Sequence, residues 1–297
     1  MANKTGHDGP YTAQTFVVLP KVDLLAQTPS IGRMTILNGD FGRVGAVPFP
    51  IVDLDGGGMP EIVIASPAQP LAPSYPFGVF KRTTIAGSVF APFLNVGSGF
   101  PDGFFFGASY DISPPAPQPD PKADPIDVGY PAIQNAPVLK NGELWFVLNA
   151  VDDGSGRGVI HWLRVSAVNN TILEEGFIDD PELTFFFPSL AVNAKGDVVI
   201  GFNASGPKAG QYASSYALIG KTRGGRTVFG EPILLKAGVA SFDIHSPVLP
   251  GFQLAPWGDW SSTVCDPEDP YTFWTLQEWA SATDVWSTQI TALTIPH

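Results

Sequence analysis

Apolar residues in this chain alternate with polar ones over short runs, and they rarely recur at the three-to-four-residue spacing of a helix. The runs are rich in β-branched and aromatic residues and are bounded by Gly, Pro, Asn or Asp, which predicts strands. Examples are "TFVVLP" (15–20), "RMTIL" (33–37), "EIVIAS" (61–66), "GVFKRTTI" (78–85) and "SVFAPFLNV" (88–96). The pattern continues through "ELWFVLNAV" (143–151), "GVIHWLRV" (158–165), "TILEEGFI" (171–178), "DVVIGFNA" (197–204) and "SYALIGKT" (215–222). It ends with "PILLKA" (232–237), "TFWTLQEW" (272–279) and "VWSTQITALTI" (285–295). Only "KVDLLAQ" (21–27) suggests one or two helical turns. The chain is expected to be all-β.

A weak repeat appears when the segments are aligned. "PIVDLDGGGMPEIVIA" from Pro50, "PVLKNGELWFVLNA" from Pro137 and "LAVNAKGDVVIGFNA" from Leu190 each read as strand, tight turn, strand. "STVCDPEDPYTFWTLQEW" from Ser262 repeats this with a longer turn. Two further strands follow the hairpins. Four antiparallel strands recurring in this way are the grammar of a propeller blade. The expectation is one β-propeller domain over residues 1–297, with about five blades. The N-terminal strands in 11–38 would close one sheet with the C-terminal strand at 285–295, because an open ring leaves edges exposed. A β-sandwich is the competing architecture. The stretch 97–134 holds eight prolines and "GFFFG". It reads as a long ordered loop across one face.

Composition narrows the partners. The 297 residues carry 16 Lys plus Arg against 28 Asp plus Glu, a net charge of −12. That balance disfavours nucleic acid and an anionic membrane surface. The single cysteine, Cys265, rules out an intrachain disulfide and is expected to be a buried, inert thiol. No apolar signal segment opens "MANKTGHDGPYTAQ". An extracytoplasmic or secreted location is the expectation, with a cytosolic one left open.

Aromatic rings and carboxylates crowd into 255–279, which contains Trp257, Trp260, Trp274 and Trp279, four of the seven tryptophans. In a propeller, sites lie where the innermost strands begin. Asp259 and Trp260 precede such a strand, and the matching places elsewhere are 48–49, 134–135 and 187–189. Trp257, Trp260, Asn135 and Ser189 are therefore candidates for substrate binding, since aromatic faces and polar groups together suit sugars. The competing reading has Trp257 and Trp260 packing between blades while Asp259 caps a turn. Asp259 and Glu278 are a candidate acid/base pair for glycoside hydrolysis. His245, on a loop leading to this segment, is a candidate general base. His161 lies within a strand pattern, and His7 and His297 are terminal. "VDLDGGGMPE" (52–61) places Asp53, Asp55 and Glu61 at spacings resembling a calcium loop, with a plain turn as the other reading.

From about Phe16 onward the chain resembles secreted bacterial sialidase-like β-propeller proteins of poorly defined function, in particular their C-terminal portion. The resemblance rests on "VLPKVDLLA" (18–26), "NAPVLKNGELW" (135–145), "FFPSLAVNAKGDVVIGF" (186–202), "WGDWSSTVCDPEDPYTFW" (257–274) and "LQEW" (276–279). Family members typically read WGDYS and FWYTNEY, so Trp260 stands for Tyr and Gln277 for Asn. The resemblance implies a propeller. Sialidase chemistry itself is not expected. The S-x-D-x-G-x-x-W boxes are absent, and none of the seven arginines stands at a recognisable strand start.

The expected activity is hydrolysis of a carbohydrate or similar small polar substrate at the channel mouth. A non-catalytic carbohydrate- or protein-binding propeller is an alternative. A metal-dependent esterase or phosphotriesterase of lactonase-like type, with calcium as electrophile, is another. Close carboxylates in a pocket, a shallow aromatic face, and an axial metal would respectively mark the three.

Overall fold

The computed structural model describes residues 13–40, 46–57, 60–66, 78–95, 103–106, 113–129, 132–151, 156–244, 253–258 and 261–296. The protein is all-β, 56% strand and 2% helical. The "KVDLLAQ" segment gives a single helical turn, α1 (Lys21–Leu24). It lies between β1 (Ala13–Val18) and β2 (Thr35–Asp40), which pair as an antiparallel hairpin.

Four further sheets follow in chain order. The first contains β3 (Ala46–Pro50), β5 (Glu61–Ser66), β6 (Val79–Ser88) and β7 (Ala91–Asn95). The short β8 (Gly103–Phe106) also pairs with β6, so part of the Pro-rich stretch is strand, which its composition concealed. The second sheet contains β9 (Val138–Lys140), β10 (Glu143–Val151), β11 (Gly158–Ser166) and β12 (Ile172–Ile178). The third contains β13 (Thr184–Val192), β14 (Asp197–Ser205), β15 (Ser214–Arg223) and β16 (Arg226–Phe229), with β17 (Ile233–Lys236) also on β15. The fourth has three strands, β18 (Ser262–Cys265), β19 (Thr272–Ala282) and β20 (Val285–Thr294).

The sheets stack in sequence because alternate side chains of each strand point to opposite faces. On β10, Leu144, Phe146 and Leu148 join Ile62, Ile64 and Phe80 of the preceding sheet in one core. The residues between them, Trp145 and Val147, join Leu190, Val198, Ile200 and Phe202 of the following sheet in another. The third and fourth sheets meet through Ala191, Val199, Ala217, Phe273 and Ile295. The N-terminal hairpin covers the other end of the stack, where Phe16 packs on Val63 and Ile85. Ring contacts add specificity: Phe80 meets Phe146 edge-on at 5.0 Å.

At one end of the stack the hairpin turns are tied to one another. Asn141 and Gly142, both at positive φ, form the tight turn between β9 and β10. The Asp55 carboxylate accepts the amides of Asn141 (2.8 Å) and Gly142 (2.7 Å), and Lys140 lies 3.3 Å away. Asn141 Nδ2 donates to the Ala194 carbonyl of the next turn at 3.3 Å. Asn193 Nδ2 donates to the Pro270 carbonyl of the turn after that at 2.8 Å. The repeat in the sequence is thus a repeat of contacts, each turn capping its neighbour.

Two expectations need correction. Residues 50–66 do not form one simple hairpin. β3 pairs with β5, and the chain then crosses over so that β4 (Val52–Asp53) runs parallel to β9 of the next sheet. The N- and C-terminal strands also do not share a sheet. β1 and β2 pair with each other through all six residues, and Phe16 holds the hairpin to the first sheet. Among the described residues, β20 pairs only with β19.

The described part of 97–134 is ordered by burial, as its apolar content implied. Ala116, Ile126 and Val128 pack with Phe186, Phe187, Phe242, Ala255 and Trp257. Backbone bridges join Ala116 to Ile126 and Ile126 to Ala255.

Candidate functional site

The starts of successive inner strands converge at the end opposite the tied turns. The structural cause is a distortion in β13. Its register with β14 slips between Phe186 and Ser189, and Phe187 adopts a positive φ of 49° while fully buried. A bulge of this kind re-aims backbone groups, and strained non-glycine residues collect at functional positions. Here two carbonyls turn towards neighbouring sheets. Pro188 O accepts from Asn135 Nδ2 at 3.0 Å, and Phe187 O accepts from Ser261 Oγ at 2.7 Å. Asn135 precedes β9 and Ser261 precedes β18, so three adjacent sheets meet here. Ser261 was not picked out from the sequence, although it directly follows "WGDW".

Glu278 lies against the segment that leads into β18. β19 runs past the last pair it makes with β18, Ser262↔Leu276, and Glu278 falls two residues further on. Its Oε2 accepts the Gly258 amide at 3.2 Å. A Cβ at 258 would meet the end of the Glu278 side chain, which would have to move aside. Asn203, buried behind, donates to the Glu278 and Ser214 carbonyls. Asp259 and Trp260, which follow Gly258 in the chain, and His245 lie outside the described residues.

Two residues expected to bind substrate are instead engaged in packing. Trp257 is buried, meets Phe242 edge-on at 5.1 Å and directs its indole N–H at Asn203 Oδ1, 3.4 Å away. Its ring is therefore engaged in packing and offers no exposed face for stacking. Ser189 is buried in a hydroxyl ladder between the third and fourth sheets. It lies 2.8 Å from Thr263, which is 3.0 Å from Thr275, and Gln277 Nε2 donates to Thr275 at 2.9 Å. The ladder needs Gly201, where a Cβ would strike these groups.

The three carboxylates at calcium-loop spacing separate into two roles. Asp55 turns to the 141–142 amides. Burial opposes its ionisation, but those amides and Lys140 hold its carboxyl below the usual value. Asp53 accepts the Asp55 amide at 2.8 Å. Burial, and then the Asp53 charge, pushes the Glu61 carboxyl up. Among the described residues, no three His, Cys, Asp or Glu side chains come together as a metal cluster. With Asp55 committed to the turn, the set does not fit a calcium loop.

This geometry gives a signed expectation. Because the folded-state pKa of Glu61 is raised, folding is opposed above its unfolded value, and the opposition disappears at lower pH. Glu61→Gln should therefore raise the melting temperature at pH 7, with the gain fading towards pH 4. If calcium occupied the loop, the substitution would instead lower the melting temperature in millimolar calcium. Melts in calcium and in chelator distinguish the two.

Two other ionisable side chains sit within strands. Burial pushes the Cys265 thiol up to about 12, far from a reactive thiolate. His161 is fully buried, stacks on Phe177 at 4.4 Å, and has Nε2 3.5 Å from Glu175.

No family model matches the chain, and no curated protein matches it. Solved structures show partial likeness. One is a Penicillium chrysogenum alpha-L-arabinanase complexed with arabinobiose, at 10% identity and TM-score 0.39, covering 82% of this chain and 66% of that one. Another is an alpha-L-arabinofuranosidase from Fusarium graminearum in complex with an iminosugar inhibitor, at 9% identity and TM-score 0.36, covering 88% and 85%. A thermostable family-43 glycoside hydrolase gives 11% identity and TM-score 0.36, covering 89% and 82%.

Proposed function

We propose that the chain is a hydrolase of a carbohydrate or similar small polar substrate, acting where the inner strands begin. In this reading the consecutive sheets are propeller blades of a single domain. The observations that carry it are the meeting of Asn135, Phe187, Pro188 and Ser261 and the Glu278 carboxylate held by the amide next to Asp259. Rigid strands fix the polar groups, and Asp259 and Glu278 supply the two carboxyls that glycosidic cleavage requires. Glu278 is assigned as nucleophile or general base, and Asp259 as the acid that protonates the leaving oxygen. Half-buried Asn135 is assigned to a substrate hydroxyl.

The test is a panel of chromogenic glycosides, with esters and phosphotriesters as controls, assayed with and without calcium. Turnover of a glycoside that falls about 100-fold or more in Glu278→Gln supports the assignment. Turnover of an ester or phosphotriester that depends on calcium contradicts it. Glycoside binding without turnover would leave a binding module.

A further inference from the structure

We infer that Asn203 is a positioning residue for Glu278, an inference that rests on reading Glu278 as a catalytic carboxylate. Asn203 lies on β14 and is 2% exposed. Its neighbours Phe202 and Ala204 face the core shared with the second sheet, so Asn203 faces the fourth. Val199, Gly201 and Asn203 follow one another along that face. Val199 packs with Phe273, Gly201 lies against Thr275 and Gln277, and Asn203 reaches Glu278. The first two contacts need only apolar surface or close approach. The third uses a buried amide, which is unfavourable unless its hydrogen bonds are made.

Those bonds go to three separate pieces of chain. Asn203 Nδ2 donates to the Ser214 carbonyl at 3.1 Å, at the start of β15, and to the Glu278 carbonyl. Its Oδ1 accepts the Trp257 indole N–H at 3.4 Å. The Glu278 bond fills a gap in the sheet. β18 pairs with β19 only as far as Ser262↔Leu276. Residues two apart on an antiparallel strand direct their N–H and C=O to the same side. Ala280 uses that side for the Ala213 carbonyl and the Val239 amide. Glu278, between Leu276 and Ala280, turns the same way where β18 no longer reaches, and Asn203 stands in for the strand.

The Trp257 bond acts on the carboxylate end. Gly258, the next residue, donates its amide to Glu278 Oε2 at 3.2 Å. One side chain thus holds both the backbone of Glu278 and the segment whose amide holds its carboxylate. A misplacement of about 1 Å can cost about 100-fold in rate.

Asn203→Leu keeps the branched shape and removes both the donor and the acceptor. With a glycoside that the wild-type chain turns over, kcat per folded molecule should fall by about 10-fold or more, with KM within about 2-fold. Thr263→Val, in the hydroxyl ladder between the same two sheets, is the control. It should lower the melting temperature and leave kcat unchanged. If Asn203→Leu does not fold, Trp257→Phe removes the indole N–H and is read against the same control. An unchanged kcat, or an equal fall in Thr263→Val, overturns the inference, while loss of turnover in Glu278→Gln still upholds the reading of the site. A wild-type chain that turns over no glycoside, or a Glu278→Gln variant that keeps its rate, removes both.

Discussion

Replacing Arg164 with leucine should destabilise the protein by about 3 kcal/mol, the low end for breaking a buried ion network. Arg164 is buried on β11, with its guanidinium 5.5 Å from the Trp145 ring centroid. It donates to Glu143 Oε1 at 2.8 Å, to Glu174 Oε2 at 3.1 Å and to the Gly225 carbonyl at 2.6 Å. Glu174 also accepts the Thr227 amide and hydroxyl, so the network joins β12 to β16 across two sheets. Leucine matches much of the apolar stem but leaves two carboxylates without their counter-charge. For a chain of this length the loss corresponds to about 6–12 °C in melting temperature. Arg164→Lys should fall between, because an ammonium cannot span the same forked partners. Denaturant midpoints give the measurement. A loss below about 1 kcal/mol for leucine would mean that the network is decoration on a stack held by its apolar cores alone.

Asp259→Asn should lower glycoside turnover by about 100-fold or more while the melting temperature changes little. The substitution keeps shape and removes the ionisable proton, so it separates chemistry from packing. A residue that merely closes a turn would behave in the opposite way, with stability down by about 1 kcal/mol and activity per folded molecule intact. That second pattern would remove Asp259 from the chemistry and leave Glu278 as an anchor for the Gly258 amide.

The strands were legible in the sequence because period-two alternation and Gly/Pro punctuation act locally. Phe146 and Trp145 face different cores simply because they are adjacent on one strand. The hairpin repeat was legible for the same reason, and Asn141–Gly142 is a turn signal with a mechanism. Contacts between repeats were not. Asp55 sits at calcium-loop spacing, yet its partners are amides 86 and 87 residues along the chain. Nothing local marks Val52 and Asp53 as leaving one sheet for the next. Trp257 reads equally as a binding platform or as packing until Phe242 and Asn203 are found around it. The partner of the N-terminal strands was not legible, because counting unpaired strands does not say which partner they will find. Phe16 packs on the first sheet, and β1 and β2 satisfy one another.

The most direct test of the account is the distance between the carboxyl groups of Asp259 and Glu278 in a crystal structure with a bound sugar or iminosugar. Both groups should face one cavity bordered by Asn135 and Ser261, about 5–9.5 Å apart, the range used by retaining and inverting glycosidases. Asp259 turned into its own loop, with the two carboxyls beyond about 12 Å and the sugar bound elsewhere, would contradict it.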